Sequence, residues 1–437
     1  MLKPIQIGLI GFGTVGSSTY QLLVRNQDHI QRRLGRPLMI TMVADLDTAK
    51  VKAVVGKDCK VVSDAHEILA NPDIDAIIEL IGGYGFALEV ILKAIESGKH
   101  IVTANKALLA THGAKVFEAA RHQGVMVGFE ASVAGGIPII KVLREGLSAN
   151  RINWIAGIIN GTTNFILTQM SEKGWGFEQA LSEAQSLGYA EADPTFDVQG
   201  VDAAHKCSIL SAIAYGIPIP FDQAYIEGIT KLQSQDMKFA AQLGYKIKLL
   251  GITKLTPGGI ELRVHPCLIS DRSLLAKVDG AMNAVMVNAD ALGTSLYYGK
   301  GAGGEPTASA VIADLIDISR LAEAELQERV PDLGYMSEST KLTNIVPMND
   351  VTTCNYLRIG VADQSGVLAS ITSILADHGI SVDAMLQQPA NAESKQTELI
   401  ILTHEAKEST VETAIAMIQK LPTVLVPVVR IRKEDFN

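Results

Sequence analysis

The 437-residue chain has only four cysteines and no excess of positive charge. The cysteines show no C-x-x-C spacing, which argues against a disulfide framework or a zinc site and favours reduced thiols; they are Cys59, Cys207, Cys267 and Cys354. Acidic residues outnumber basic ones by 47 to 38, so the net charge is −9. Because nucleic acids and anionic membranes require a basic face, neither is expected as a partner.

Long apolar runs are also missing. No segment approaches the ~18 apolar residues that a membrane helix requires. The opening residues, "MLKPIQIGLIGFG", lead straight into a strand with no secretory segment ahead of it, so we expect a cytoplasmic protein. Hydrophobic residues make up 47% of the chain, enough for sizeable cores, and the length predicts two or three domains.

The first ~130 residues alternate predicted strands and helices. The strands "IQIGLIG", "LMITMVAD", "IDAIIELIGG" and "HIVTA" are apolar along most of their length. Such strands are buried on both faces, which is typical of a parallel sheet covered by helices. The sequence therefore predicts an α/β, doubly wound domain.

A G-x-G-x-x-G motif joins the first strand to its helix; its residues are Gly11, Phe12, Gly13, Thr14, Val15 and Gly16. The motif alone is weak, but the strand before it and the helix after it supply the context that dinucleotide binding needs. Gly11 permits the tight turn, Gly13 lets a pyrophosphate approach the backbone, and Gly16 allows close helix packing. The phosphates would lie at the helix N-terminus.

Asp45, at the end of the second strand, is positioned to bind an adenosine ribose, which favours NAD. Lys50 and Lys52 could instead reach a 2′-phosphate, so the choice between NAD and NADP stays open. The loops "IGGYG" and "TANK" follow two further strands, at the sheet edge where ligands bind. Lys106 is therefore expected near the nicotinamide end of the cleft, or else is a surface lysine at a helix start.

The stretch "AEADPTFDVQGVDAAHK" gathers acidic residues ahead of one lysine. Its second half is predicted to form a helix from about Val198, with Asp202 and Lys206 one turn apart. One interpretation is a solvated loop followed by an ordinary surface ion pair. The other is a functional site.

An ordered set of motifs resembles the homoserine dehydrogenase family along nearly the full chain. They are "GLIGFGTVG", "TANKALLA", "FEASVAGGIPII", "NGTTNFIL", "LGYAEADPTFDVQGVDAAHK" and "GKGAGGEPTASAV", and the tail "LRIGVADQSGVLASITSILADHGISVDAMLQQ" resembles an ACT module. The resemblance implies NAD(P)-dependent interconversion of L-homoserine and L-aspartate 4-semialdehyde. It also implies a place in threonine, methionine and isoleucine biosynthesis.

The resemblance also assigns site residues. Lys206 would be the acid/base group and Lys106 a second catalytic cation. The substrate, whose ammonium group attracts carboxylates, would be bound by Glu191, Asp202, Asp197 and Thr163. Asp193 is expected to be only a loop or cap residue. Thr162 and Thr163 either face the substrate or cap a helix.

Further assignments concern the cofactor and a cation. Gly188, Gly303 and Gly304 would approach the cofactor. The "FEASVAGGIP" loop resembles a sodium site or is a hinge; its ligands would be a Glu130 oxygen and the carbonyls of Val133, Gly135 and Ile137, which suit a hard ion.

The predicted architecture has three parts. A Rossmann-type domain spans residues 1–130, with a return helix at ~305–330. An α+β substrate and dimerisation domain spans 131–304 and contains antiparallel strands. After a linker at 331–352, a ferredoxin-like ACT module covers 353–437. The module would bind an effector, L-threonine in the family, near Asp363 and Gly366, or would serve only for dimerisation. A homodimer or homotetramer is expected.

Two other functions are compatible with the fold. One is an amino-acid sensor without catalysis, against which Lys106, Lys206 and the glycine loop argue. The other is an aldehyde-oxidising semialdehyde dehydrogenase, which would need a thiolate nucleophile with a base. No cysteine lies in a convincing cleft loop, so this second function is disfavoured.

Overall fold

The structure, a computed structural model, describes residues 3–340, 342–389 and 396–436. The N-terminal part alternates strands and helices as predicted. Its elements are β1 (Ile5–Ile10), α1 (Thr14–Arg25), α2 (Gln27–Leu34), β2 (Leu38–Ala44), α3 (Thr48–Lys52), β3 (Lys60–Val62), α4 (Ala65–Leu69), β4 (Ala76–Glu79), α5 (Gly85–Glu96), β5 (His100–Thr103), α6 (Lys106–Gln123) and β6 (Val127–Gly128).

The middle of the chain mixes helices with longer strands. Its elements are α7 (Ile139–Lys141), β7 (Ile152–Ile158), α8 (Gly161–Lys173), α9 (Phe177–Ser186), α10 (Thr195–Val198), α11 (Val201–Tyr215), β8 (Tyr225–Ile226), α12 (Ser234–Gln242), β9 (Tyr245–Thr256), β10 (Gly259–Ser270), β11 (Met282–Ala289), β12 (Gly293–Lys300) and α13 (Gly304–Leu321).

The C-terminal part contains β13 (Thr352–Ala362), α14 (Val367–Asp377), β14 (Val382–Gln387), β15 (Gln396–Thr403), β16 (Ala406–Lys407), α15 (Glu408–Ile418) and β17 (Val429–Glu434). Residues 390–395 of the predicted ACT module lie outside the described residues. Among the helices of the described chain, none has the length and apolar character needed to cross a membrane.

The chain forms two compact units. The first contains residues 1–161, 202–224 and 282–343. Its main sheet has the order β3-β2-β1-β4-β5-β6, and every strand pair in it is parallel. This is the strand order of a dinucleotide-binding fold, so the Rossmann-type prediction is confirmed.

The core of this sheet explains why its strands read as continuous apolar runs. Ile7, Leu9 and Ile78 are buried with Val311 and Leu315 of α13. The late helix α13 therefore completes the core of the early sheet. It ends at Leu321, before the end predicted near residue 330.

The first unit also contains a small antiparallel sheet. Antiparallel strands were predicted for residues 131–304, and β7 and β11 pair there in that way; β12, which the sequence does not indicate, pairs with the other edge of β11. Most β12 residues are partly or fully exposed, so its sequence "GTSLYYGK" lacks the apolar alternation that marks a strand.

The second unit contains residues 162–201, 225–281 and 344–437. Its strands follow the order β9-β10-β17-β13-β15-β14, with β8 beside β10 and β16 beside β13. The last four strands in that order and helices α14 and α15 form the predicted ferredoxin-like ACT fold. Its core includes Leu357, Ile359 and Ile401 with Ile371 and Val411 of the two helices.

The helix predicted from about Val198, with Asp202 and Lys206 one turn apart, begins slightly later, at Val201. The short α10 ends at Val198 and α11 begins at Val201. Gly200 separates them with φ of +84°, a left-handed conformation that glycine adopts without strain. A glycine in this conformation breaks the helix that the flanking residues favour.

Candidate active site

The glycine loop between β1 and α1 has the geometry that its three glycines suggested. A Cβ on Gly11, whose φ is +96°, would lie 2.7 Å from the Leu80 backbone, and one on Gly16 would lie 2.1 Å from the Gly11 carbonyl oxygen. A Cβ on Gly13 would meet nothing within 4 Å. The loop is therefore tight at Gly11 and Gly16 and open at Gly13, and the residues present fit a pyrophosphate.

Asp45 holds this loop from the end of β2. Its Oδ2 accepts a 2.6 Å hydrogen bond from the Phe12 N–H, and its Oδ1 accepts one of 2.9 Å from the Asp47 N–H. Lys50 and Lys52 are exposed on α3. Asp45, the residue predicted to bind the ribose, therefore also fixes the backbone of the glycine loop.

A buried carboxylate organises the loops after β4 and β5. Glu79 accepts hydrogen bonds from the Ile81 and Gly82 N–H groups and one of 2.7 Å from the Thr103 hydroxyl. Asn105 donates to the Gly83 carbonyl at 2.7 Å. These contacts join the "IGGYG" and "TANK" loops, and the sequence analysis missed them. The signal was an acid inside an apolar strand, "AIIE".

Lys106, Asp202 and Lys206 form one cluster. Asp202 Oδ2 lies 2.6 Å from Lys206 Nζ, and its Oδ1 lies 3.4 Å from Lys106 Nζ. Asn160 donates to Asp202 at 2.8 Å, and Lys206 also donates to the Ile159 carbonyl at 2.9 Å. Asn160 is a second residue that the sequence analysis missed, although it opens the "NGTTNFIL" motif.

The cluster is buried at one end and open at the other. The side chains of Asp202 and Lys206 are 5% and 12% exposed, so the surface ion-pair interpretation of this pair was wrong, whereas Lys106 is 36% exposed. Burial alone raises the pKa of Asp202, but the ammonium groups of Lys206 and Lys106 hold it below its ordinary value. The carboxylate therefore stays ionised and anchors two cations.

A buried histidine borders this cluster. His205 packs its ring against Phe221, with ring centroids 4.2 Å apart. Burial lowers the pKa of His205 to about 4. The neutral ring adds no positive charge beside the lysines at neutral pH.

The second glycine loop approaches α1. A Cβ on Gly304 would lie 2.3 Å from Ser18 Oγ and 3.4 Å from the Thr14 carbonyl oxygen. Gly303, with φ of +128°, caps the N-terminus of α13. The "GKGAGG" segment is thus close to α1, the helix that follows the first glycine loop.

The candidate cation loop contacts this same segment. A Cβ on Gly135 would lie 2.4 Å from the Gly301 carbonyl oxygen, and Gly136 donates to the Lys300 carbonyl at 3.0 Å. Ala134 has φ of +54°, a conformation that costs a residue with a side chain free energy. Such strain is common where a loop is shaped for binding.

Glu130 is the charged member of the candidate cation site. Its two carboxylate oxygens accept hydrogen bonds from the Ile140 and Lys141 N–H groups at 2.9 and 2.8 Å. Burial raises its pKa to about 7, and the pKa of Asp314, which accepts from the Glu130 N–H, is also raised by burial. Each Glu130 oxygen keeps a lone pair, so this carboxylate has the chemistry of one ligand for a hard monovalent ion.

The remaining substrate and cofactor candidates belong to the second unit. Thr163 is buried in α8, Glu191 is exposed, and Asp197 is half-buried in α10. Gly188 adopts a left-handed turn after α9. Asp193 accepts a 3.1 Å hydrogen bond from the Thr195 N–H two residues later, as expected of a loop residue.

Thr162, next to Thr163 at the start of α8, contacts the loop after α9. Its hydroxyl donates to the Tyr189 carbonyl oxygen at 2.5 Å. This bond ties the start of α8 to the loop that carries Glu191.

The ACT fold has a cavity at the predicted effector position. It has a volume of about 100 Å³, and its lining includes Asp363, Gly366, Val367, Gln387 and Thr397. Gly366 precedes α14 with φ of +91°. The two effector candidates therefore line one cavity between β13, α14 and their neighbouring strands.

Three family models match the chain. Residues 11–130 match "Homoserine dehydrogenase, NAD binding domain", residues 138–316 match "Homoserine dehydrogenase", and residues 355–423 match "ACT domain". The homoserine dehydrogenase of Pseudomonas aeruginosa is 51% identical over 436 residues, which cover all of both chains.

Solved structures are also similar. A homoserine dehydrogenase crystal structure from Thiobacillus denitrificans matches with a TM-score of 0.95 and 53% identity, over 100% of this chain and 99% of that one. A hyperthermophilic archaeal homoserine dehydrogenase in complex with NADPH matches with a TM-score of 0.62 and 28% identity, over 74% of this chain and all of that one.

The Rossmann-type sheet, its glycine loop and the ACT fold define an NAD(P)-dependent dehydrogenase with a C-terminal ligand-sensing domain. The identity over the full length narrows the class further. The chain belongs to the homoserine dehydrogenase family.

Proposed function

We propose that this chain interconverts L-homoserine and L-aspartate 4-semialdehyde, with Lys206 as the acid/base group. The observation that carries the proposal is the cluster in which Asp202 binds both Lys206 and Lys106. When bound, the nicotinamide accepts or donates the hydride. NAD and NADP are both candidates, because Asp45 favours a free ribose while Lys50 and Lys52 are available to a 2′-phosphate.

Lys206 performs the proton transfer in either direction. Its ion pair with Asp202 positions the ammonium group, which is the acid that reduction of the aldehyde requires. In the oxidation direction its neutral amine takes the proton of the substrate hydroxyl. Lys106 adds a second positive charge, which stabilises developing negative charge on the substrate oxygen.

The substrate is held by its charged groups. Glu191 and Asp197 are proposed to bind the amino-acid end of homoserine, and Thr163 to contribute a hydroxyl. Asp202 has two lysines as partners, so its larger role is to position them. Gly188, Gly303 and Gly304 are proposed to approach the cofactor.

A sodium ion is proposed at Glu130, with carbonyl ligands from Val133, Gly135 and Ile137. The proposal is supported by the buried carboxylate and the strained backbone at Ala134. L-threonine is proposed as the effector at Asp363 and Gly366, and a homodimer or homotetramer as the assembly.

The experiment is a spectrophotometric assay of homoserine oxidation with NAD and with NADP. We expect turnover with at least one nucleotide, independent of phosphate. A phosphate-dependent reaction with a trappable acyl-enzyme would instead indicate aldehyde oxidation through a thiolate. The thiols argue against that reaction, because burial raises the pKa of Cys59 to about 11 and also raises that of Cys267.

A further inference from the structure

Arg432, on the last strand of the chain, is almost completely buried at 1% exposure. Its guanidinium donates twice to Glu408, at 3.0 and 2.8 Å, and once to Glu227 at 2.7 Å. It also donates to the Tyr225 hydroxyl at 3.1 Å and lies over that ring. The arginine thus joins two carboxylates, one on α15 of the ACT fold and one on the segment after β8.

The segment that carries Glu227 lies along β10. Tyr225 and Ile226 pair with Arg263 and Val264 in parallel register. The Glu227 N–H donates to the Val264 carbonyl at 2.8 Å. Because the Glu227 side chain binds Arg432, both its backbone and its side chain are fixed.

Gly228, the next residue, packs against the turn at residues 198–200, which follows the acidic residues 191–197. A Cβ on Gly228 would lie 2.2 Å from the Val198 carbonyl oxygen and 2.6 Å from Gln199 Cα. The Ile229 N–H donates to the same Val198 carbonyl at 2.9 Å. Residues 227–229 and 198–200 therefore touch backbone to backbone, directly after Asp197 and before α11.

We propose that Arg432 is a positioning residue for the substrate loop, residues 191–197. Through Glu227 it holds residues 227–229, and these contact the turn at residues 198–200 that directly follows Asp197. The inference depends on the proposed role of residues 191–197 in binding homoserine. Arginine suits this task because its guanidinium keeps its charge and binds two carboxylates in a fixed geometry. The reaction needs no direct contact between Arg432 and the substrate.

The first test compares Arg432→Met with a matched control, Arg358→Met. Arg358 is likewise buried on the ACT sheet and binds Asp236 of α12 at 2.7 Å; its other side-chain contacts, Gln233 and Glu398, also lie outside residues 225–229. Arg432→Met removes one of the two cations beside the buried Glu408, and Arg358→Met removes the ion-pair partner of the buried Asp236, so both should lower the melting temperature. Only Arg432→Met should raise the KM for homoserine, by about tenfold, with little change in kcat or in the KM for nucleotide.

Glu227→Gln is a milder variant that keeps the shape of the side chain and weakens its bond to Arg432. It should also raise the KM for homoserine. If Arg432→Met does not fold, Glu227→Gln alone tests whether the Arg432–Glu227 contact affects substrate binding. An unchanged KM in both variants, or an equal rise in Arg358→Met, would overturn the proposal.

Hydrogen exchange separates this proposal from the proposed function. Amides of residues 195–201 should exchange faster in Arg432→Met or Glu227→Gln than in wild type, and Arg358→Met should not produce this change. If the wild-type chain fails to oxidise homoserine, the proposed function falls, while exchange still reports on the loop. Unchanged exchange at 195–201 would show that Arg432 does not position the turn.

Discussion

The Lys106–Asp202–Lys206 cluster of the first unit and the Arg432 network of the second are both built from buried ion pairs. In the first, one carboxylate serves two lysines, and Lys106 remains 36% exposed. In the second, one arginine at 1% exposure serves two carboxylates. A lysine can release a proton when its surroundings favour it, whereas an arginine keeps its charge. The first cluster is therefore suited to proton transfer and the second to holding structure.

The largest effect is expected from Lys206, and it tests whether the lysine cluster transfers a proton. Lys206→Ala should lower kcat by ~10²–10⁴-fold, because a positioned acid/base group contributes about that much. Lys206→Arg preserves a positive charge beside Asp202 but cannot act as the base, so it should be similarly inactive. Nucleotide affinity, measured by fluorescence titration, should stay near the wild-type value in both. Substantial activity in Lys206→Arg would mean that charge alone suffices.

The next largest effect is expected from L-threonine, and it tests whether the second unit regulates activity as well as holding structure. If L-threonine binds the cavity at Asp363, it should inhibit, with a coupling of about 5–150-fold between effector and substrate affinity. Asp363→Asn should weaken that inhibition. Asp377→Asn removes the same charge from the other end of α14 and serves as the control. Absence of both inhibition and threonine binding in the wild-type chain would leave the domain with a structural role.

These assignments also show what the sequence could predict. The glycine loop was predictable because each glycine answers a local need, and the Asp202–Lys206 contact was predictable from their spacing of one helical turn. The contact between Lys106 and Asp202, by contrast, joins distant parts of the chain. The roles of Glu79 and Asn160 depend in the same way on neighbours that no local pattern reveals.

Arg432 was invisible to sequence reasoning for a similar reason. The stretch "VVRIRKEDFN" resembles an ordinary exposed strand and tail, since alternating basic residues usually face solvent. Burial of Arg432 follows from its partners Glu408 and Glu227, each supplied by a different segment. The outline of the ACT fold was nevertheless predicted, because the tail that begins "LRIGVADQSGVLASIT" resembles an ACT module.

A smaller effect concerns Glu130 and sodium. Its pKa is raised by burial from 4.5 to about 7, so the folded state binds this proton more tightly than the unfolded chain does. Stability should therefore fall as pH rises from about 4.5 to about 7. A bound cation favours the ionised form, and sodium should raise the melting temperature more at pH 8 than at pH 5.5. The measurement compares sodium chloride with choline chloride at equal concentration.

Glu130→Gln provides the control for that measurement. The variant cannot ionise at this position, so the pH-dependent difference between the two salts should disappear. A sodium effect that persists unchanged in Glu130→Gln would place the ion elsewhere.

The smallest effect comes from an exposed pair. Arg25 and Glu305 lie 2.7 Å apart, but their side chains are 58% and 62% exposed. Solvent screens such a pair, so Glu305→Gln should leave the melting temperature unchanged within error. A clear loss of stability in this variant would weaken the contrast drawn between buried and exposed charges.

The position of β17 also has a consequence for the order of events during synthesis. Residues 429–434 lie between β10 and β13, pairing with Cys267–Ile269 in parallel and with Cys354–Arg358 in antiparallel register. These residues follow every other strand of the second unit in the chain, so most of that unit is synthesised before its sheet can close. Until then the edges of β10 and β13 lack a partner, which exposes strands to wrong pairing. A chain truncated before Val429 would lack the strand that joins the two halves of this sheet.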